Sequence, residues 1–187
     1  WDTERYNLVI REQAGLDVYT TNNSDVYEKG SAQNAGGEIE NYGVQHNIFN
    51  NLFTANFTAK LGANNEWDFG ALLGSEFNHD YQRVWDYDGT NFLFYGQPTM
   101  TNTTVKPVTE EYPAQERTVG FFGQLSLSYA NQVYLTVTGR NDIVSSMPRD
   151  NRSFFYPSVS LGFIFTELDA VKNDILTYGK LRASYAE

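Results

Sequence analysis

Between Val84 and Tyr95, five aromatic side chains (Trp85, Tyr87, Phe92, Phe94 and Tyr95) are interleaved with Asp86, Asp88 and Asn91. Flat apolar rings beside carboxylate and amide acceptors suit a sugar, whose ring faces stack while its hydroxyls donate. Trp85, Tyr87, Asp88, Asn91 and Tyr95 are therefore the candidate ligand-binding residues. Packing within a surface loop is the competing role for the same aromatics.

Other chemistries fit poorly. The run from Asp86 to Asn91 faintly resembles a calcium loop, but such a loop needs Gly at its sixth position and Glu at its twelfth, where Asn91 and Gln97 stand. No metal site is expected. His46 and His79 are the two histidines, and no nucleophile elbow, zinc-type helix motif or phosphate-binding glycine pattern accompanies them. Glu110-Glu111 and the pair Asp86 and Asp88 read as solvated carboxylates rather than as glycosidase acids. The chain is not expected to be an enzyme or to carry a cofactor. Arg140, Asp142, Arg149, Asp150 and Arg152 are expected to form a solvated ion-pair cluster.

The elements that would carry these residues have period two, the signature of strands. From Thr118, Val119, Phe121, Leu125, Leu127 and Tyr129 share one face and Gly120, Gln124, Ser126 and Ser128 the other. Val133, Leu135 and Val137 repeat the pattern after Ala130, Asn131 and Gln132, a space that admits only a hairpin turn. Phe155, Val159, Leu161 and Phe163 do so again opposite Ser158, Ser160 and Gly162. Earlier strands are expected over Tyr6–Thr20, Asn47–Leu61 and from Trp67 through Phe77, and a last one begins in KLRASYAE. Glu12 interrupts the apolar face of the first strand, so a bulge or a shifted register is expected there.

Long polar loops are expected over Thr21–Gln45, His79–Arg117 and Asn141–Ser153, with short turns at Gly62–Glu66 and Ala130–Gln132 and a connection over Glu167–Asp174. Long and short connections thus alternate, as in outer-membrane barrels with long extracellular loops and short periplasmic turns. Several strands reach the roughly 9 to 11 residues of a tilted membrane crossing.

Composition agrees with this picture. The chain has 187 residues, no cysteine, 16% aromatics and a formal charge of -10. The charge argues against a nucleic-acid partner. A signal peptide and a membrane helix are both missing from this segment, but a barrel strand averages out in hydropathy and is not excluded. KLRASYAE stops within a strand and seven strands leave two open edges, so the sequence is expected to be a piece of a longer polypeptide.

GRNDIVSSMPRDNRSFFYPSVSLGFIFTEL and LTYGKLRASYAE closely resemble the middle of the barrel in SusC/RagA-type TonB-dependent transporters. The resembling pieces are Gly139 to Asp142, Phe154 to Ser160 and Lys180 to Tyr185. NNLFTANFTAKL and the ALLGSEF run are similar as well, more weakly. The resemblance implies that residues 1–187 form part of an all-β, antiparallel transmembrane barrel of 22 strands, about seven of them here. The plug and the remaining strands lie outside the chain. It implies an outer-membrane location and TonB-coupled import of oligosaccharides or peptides, glycans first. The implied partners are TonB, a SusD-like surface lipoprotein, which the Val84–Tyr95 aromatics would contact if they do not bind ligand, and outer-membrane lipid. The alternative is a soluble β-sandwich module for carbohydrate, with the apolar faces buried against a second sheet.

Overall fold

The computed structural model describes residues 2–168, 171 and 176–187, without the side chains of residues 106–109. Within them lie β1 (Tyr6–Tyr27), β2 (Glu38–Leu61), β3 (Trp67–Phe92), β4 (Thr103–Tyr129), β5 (Val133–Val144), β6 (Ser153–Ile164) and β7 (Lys180–Ala186). They hydrogen-bond in chain order into one seven-stranded sheet. β4, β5, β6 and β7 pair antiparallel, from Tyr129 opposite Val133 to Ser158 opposite Ala186. In each of these pairings even-numbered residues face even-numbered ones, so parity names the two faces.

The expected strands are present, but the first four are much longer than their alternation suggested. β1 continues through Thr21 to Tyr27 and β2 already begins at Glu38, so the expected loop over Thr21–Gln45 shrinks to residues 28–37. The expected loop over His79–Arg117 is mostly the end of β3 and the start of β4, and its connection proper is residues 93–102. β5, which Arg140 and Asp142 were expected to close, runs on to Val144, so the expected loop over Asn141–Ser153 shrinks to residues 145–152. These extensions have polar residues on both faces, so alternation disappears while the backbone ladder persists. The short turns at residues 62–66 and 130–132 are as expected. At the second, Ala130 and Asn131 have φ of 50° and 55°, and the Gln132 amide bonds the Tyr129 carbonyl at 2.9 Å. Two successive left-handed residues match the twist of the flanking strands. Residues 169, 170 and 172–174 of the expected connection over Glu167–Asp174 lie outside the described residues.

The chain divides into two compact units. The first comprises Trp1–Ala14, Asn50–Asn78 and Arg117–Glu187; the second comprises Gly15–Phe49 and His79–Glu116.

In the first unit one sheet face is apolar yet open. Phe53, Leu73, Phe121, Leu125, Leu135, Val137, Val159 and Leu161 are all exposed. Tyr6 stacks on Phe57 at 6.3 Å, and Trp67 meets Tyr129 at 4.5 Å beside the short turns. β1 continues through Glu12, and Asn51 Nδ2 donates to Glu12 Oε1 at 3.1 Å. The other face is small and polar. Thr138 and Ser158 hydroxyls meet at 2.5 Å, Ser128 Oγ donates to Asp68 Oδ2 at 3.2 Å, and Arg140 binds both Asp142 and Glu76 at 2.8 to 2.9 Å.

The second unit has a sparse core in which Ile39, Phe92 and Asn102 are buried.

Candidate functional site

Period two brings together carboxylates that are far apart in sequence. Glu38 and Glu40 project from one face of β2, Asp86 and Asp88 from one face of β3, and Glu110 from β4. The five line a cavity of about 380 Å³ in the second unit. Asn34 Nδ2 donates to Glu38 Oε2 at 2.9 Å. Asp86 Oδ1 and Asp88 Oδ1 are buried without a hydrogen-bond partner.

Such crowding disfavours charge. Loss of hydration, then Glu38 and Asp86, push the Asp88 carboxyl above its ordinary value. Loss of hydration, then Asp86, Asp25, Asp88 and Glu38, do the same to Glu40. The cavity thus offers acceptor oxygens with unused capacity, suited to hydroxyl donors or to a cation. Among the described residues no group of three or more His, Cys, Asp or Glu is placed to hold a metal ion. Because β3 is extended through Asp86–Asn91, this run cannot wrap an ion as a calcium loop does.

The same unit carries most of the negative charge. It contains eleven carboxylates against three basic residues, a formal -8 of the chain's -10.

The five sequence-predicted ligand residues do not converge on one surface. Asp88 lines the acidic cavity. Trp85 and Tyr87, of opposite parity, point to the other face of β3. Trp85 lies against Gly43, where a β-carbon would stand 2.5 Å from its Cζ2. Tyr87 donates to Glu111 Oε1 at 3.0 Å, and Arg83 Nη2 holds the same oxygen at 2.7 Å. These two bonds hold the Glu111 carboxyl below its ordinary value, and the carboxylate raises the Tyr87 hydroxyl. Asn91, the last residue but one of β3, has φ of 60°, its amide bonding the Gly37 carbonyl at 2.9 Å. Tyr95 is exposed in the following connection.

Glu38 and Glu40 were not expected at a site, and Glu110 was expected only as a solvated carboxylate; all three lay within segments expected to be loops, where alternation was not sought. His46 joins Tyr19 and Asp80 in one chain, with Nδ1 3.0 Å from the Tyr19 hydroxyl and Nε2 2.7 Å from Asp80 Oδ1. It ties β1, β2 and β3 together across spacings too long for any local motif.

The family model for the TonB dependent receptor-like β-barrel matches residues 1–187, the whole chain. The chain belongs to that family. TonB-dependent receptors of this SusC/RagA type are outer-membrane β-barrels and transporters rather than catalysts. The TonB-dependent receptor P26 of Formosa agariphila is 29% identical over 163 residues, covering 81% of this chain and 16% of its own. The TonB-dependent receptor SusC of Bacteroides thetaiotaomicron is 28% identical over 150 residues, covering 80% and 14%. The chain therefore spans about a sixth or less of the curated relatives it matches. Among solved structures, the RagAB peptide transporter superposes with a TM-score of 0.78 at 20% identity, over 99% of this receptor chain and 21% of that one. RagAB in its closed-closed state gives 0.74. At such identity the likeness concerns the fold: an antiparallel sheet matching one fifth of a larger barrel chain. It replaces the soluble sandwich alternative, which needs a second sheet against the apolar face.

Proposed function

We propose that residues 1–187 form part of the wall of a single 22-stranded transmembrane barrel that imports oligosaccharides, coupled to TonB and working with a SusD-like surface lipoprotein. The observation that carries this reading is the division of the first unit into an exposed apolar face and a small, hydroxyl-rich one. A face holding Phe53, Leu73, Phe121, Val137 and Leu161 in the open requires an apolar solvent, and lipid supplies it. The opposite face then borders the lumen. The stretches of β1 to β7 in the first unit are assigned to the membrane, and the polar second unit to water on the extracellular side.

Glycan as substrate is supported by acceptor oxygens held without donors, at Asp86 and Asp88, which sugar hydroxyls would satisfy. Of the five candidate ligand residues, Asp88 is proposed as the solute contact. Trp85 and Tyr87, on the other face of β3, are proposed to pack against β2 and β4 instead, and Asn91 and Tyr95 to belong to the loop end of that strand. A second reading, peptides bearing free amines, is favoured by the formal -8 of the second unit.

Uptake by the full-length receptor in its native outer membrane separates the two. Glycan import predicts accumulation of labelled neutral oligosaccharide that stops when the proton gradient is collapsed and changes little with salt. Accumulation of cationic peptide alone, suppressed by salt, would replace the glycan reading with the peptide one. No accumulation of either would reject the importer.

A further inference from the structure

The connection from β3 to β4 holds three consecutive large apolar side chains in the open. Leu93 is 55% accessible, Phe94 64% and Tyr95 72%. Left to itself a loop would turn such residues inward, but this one is braced. Asn102, only 5% accessible, donates through Nδ2 to the carbonyls of Phe94 and Gln97, both at 2.8 Å. Its Oδ1 accepts from the Phe94 amide at 3.0 Å, and its carbonyl accepts from the Leu93 amide at 2.8 Å. All the side chain's strong acceptor and donor groups are used to fix one loop shape.

The base of the loop is tied to the connection between β1 and β2. The Phe92 amide bonds the Gly36 carbonyl at 2.8 Å, and the Phe92 ring, 1% accessible, occupies space that only a glycine at position 37 leaves free. Gly37 also has φ of 81°, a conformation glycine adopts without strain. Lys29 Nζ donates to the Phe92 carbonyl at 2.5 Å and stands 5.5 Å over the Tyr95 ring. Residues 28–37 and 93–102 thus form one body with a rigid apolar knob.

We infer that Leu93, Phe94 and Tyr95 are a docking point for a protein whose apolar pocket is rimmed by basic side chains. The partner is the surface lipoprotein of the proposed function, and the inference rests on that reading. Aromatic anchors presented in a fixed shape are what an interface uses, because little ordering entropy is lost on binding. The basic rim follows from charge. The unit carries a formal -8, its nearest basic side chain is engaged with a carbonyl and a ring, and Asn34 links the same connection to Glu38 of the acidic cavity. A second copy would bring like charge against like, and anionic lipid would be repelled as well.

The test uses the full-length receptor and its lipoprotein, purified separately in detergent, with affinity measured at low and high salt. Replacing Leu93, Phe94 and Tyr95 together by Ser is expected to weaken the complex about 30-fold or more, the effect of losing a hot spot. The three side chains are exposed, so folding is expected to be retained and is checked by heat-modifiable mobility. Asn102→Ala is expected to weaken it less, by loosening the loop. Raising salt is expected to slow association of the wild type. A triple variant that binds like wild type, or an association rate indifferent to salt, would overturn the inference. So would a variant that loses only receptor self-association or only lipid binding. Failure of the wild-type receptor to bind the lipoprotein at all would remove the partner reading itself, and this docking point with it.

Discussion

Asn51 Nδ2 donates to Glu12 Oε1 at 3.1 Å across β1 and β2, on the face that also carries Tyr6, Phe53 and Phe57. A carboxylate among apolar side chains is tolerable when a neighbouring strand supplies a donor. Removing the donor alone leaves the acceptor unsatisfied, whereas removing both need not destabilise. Asn51→Leu is therefore expected to lower the stability of the full-length receptor in vesicles by about 1 to 3 kcal/mol. Glu12→Leu with Asn51→Leu is expected to restore it or exceed it. Urea unfolding followed by electrophoretic mobility measures both, and equal losses in the single and double variants would show that the pair is immaterial.

Gly74 of β3 lies beneath the Phe122 ring of β4, which in turn has the Arg140 guanidinium 5.7 Å from its centre. A β-carbon at position 74 would run into that ring. Gly74→Val is expected to destabilise by about 1 to 3 kcal/mol through overpacking. Adding Phe122→Ala is expected to recover most of the loss, since the obstruction is the ring itself. Failure of the second change to rescue would place the strain in the backbone instead.

How much of this was legible in the sequence follows the solvent on each face. Where one face of a strand is apolar and the other small and polar, as in Val133 to Val137 and Val159 to Phe163, period two gave the strand and its parity, and for the first of these the short turn before it. Where both faces are polar, as from Thr21 to Tyr27 and from His79 to Asp88, the ladder continues with no alternation to mark it, and the strands looked like loops. The candidate site suffered directly. Taken as a loop, Trp85, Tyr87 and Asp88 could share a surface; in an extended strand their parity sends Asp88 to one face and the two aromatics to the other. Glu38 and Glu40 were invisible as partners of Asp86 and Asp88 because that pairing needs β2 and β3 in register.

The acidic cavity predicts a pH response. Burial and neighbouring carboxylates raise Glu40 and Asp88 above their ordinary values, so in the window above the ordinary carboxylate range the folded state holds more protons than the unfolded one. Stability of the surrounding strands must then fall as pH rises through that window. The neighbours that raise both are Asp86 and Glu38, and Asp25 and Asp88 also raise Glu40. After correction for intrinsic exchange, amides of residues 38–42 and 86–90 are expected to exchange more slowly at pH 5 than at pH 7. Glu40→Gln with Asp88→Asn is expected to remove the difference. Glu111 opposes the trend, because Arg83 and Tyr87 lower it, and its contribution is lost only as pH falls through its folded value.

Trp85 separates packing from recognition. Its ring lies on Gly43, and a β-carbon there would also collide with the Thr21 carbonyl, so the site admits an aromatic over a glycine and little else. If the ring serves chiefly to cover that glycine, Trp85→Phe should keep most of the stability, and Trp85→Ala should lose about 3 to 5 kcal/mol or somewhat less for a half-buried ring. Asp88→Asn removes a charge from the cavity without disturbing this contact, and is expected to change solute affinity while leaving unfolding in place. Calorimetric titration of the full-length receptor with an imported solute measures the first effect and urea unfolding the second. Reversed results, with affinity following Trp85 and stability following Asp88, would move the solute contact to the other face of β3.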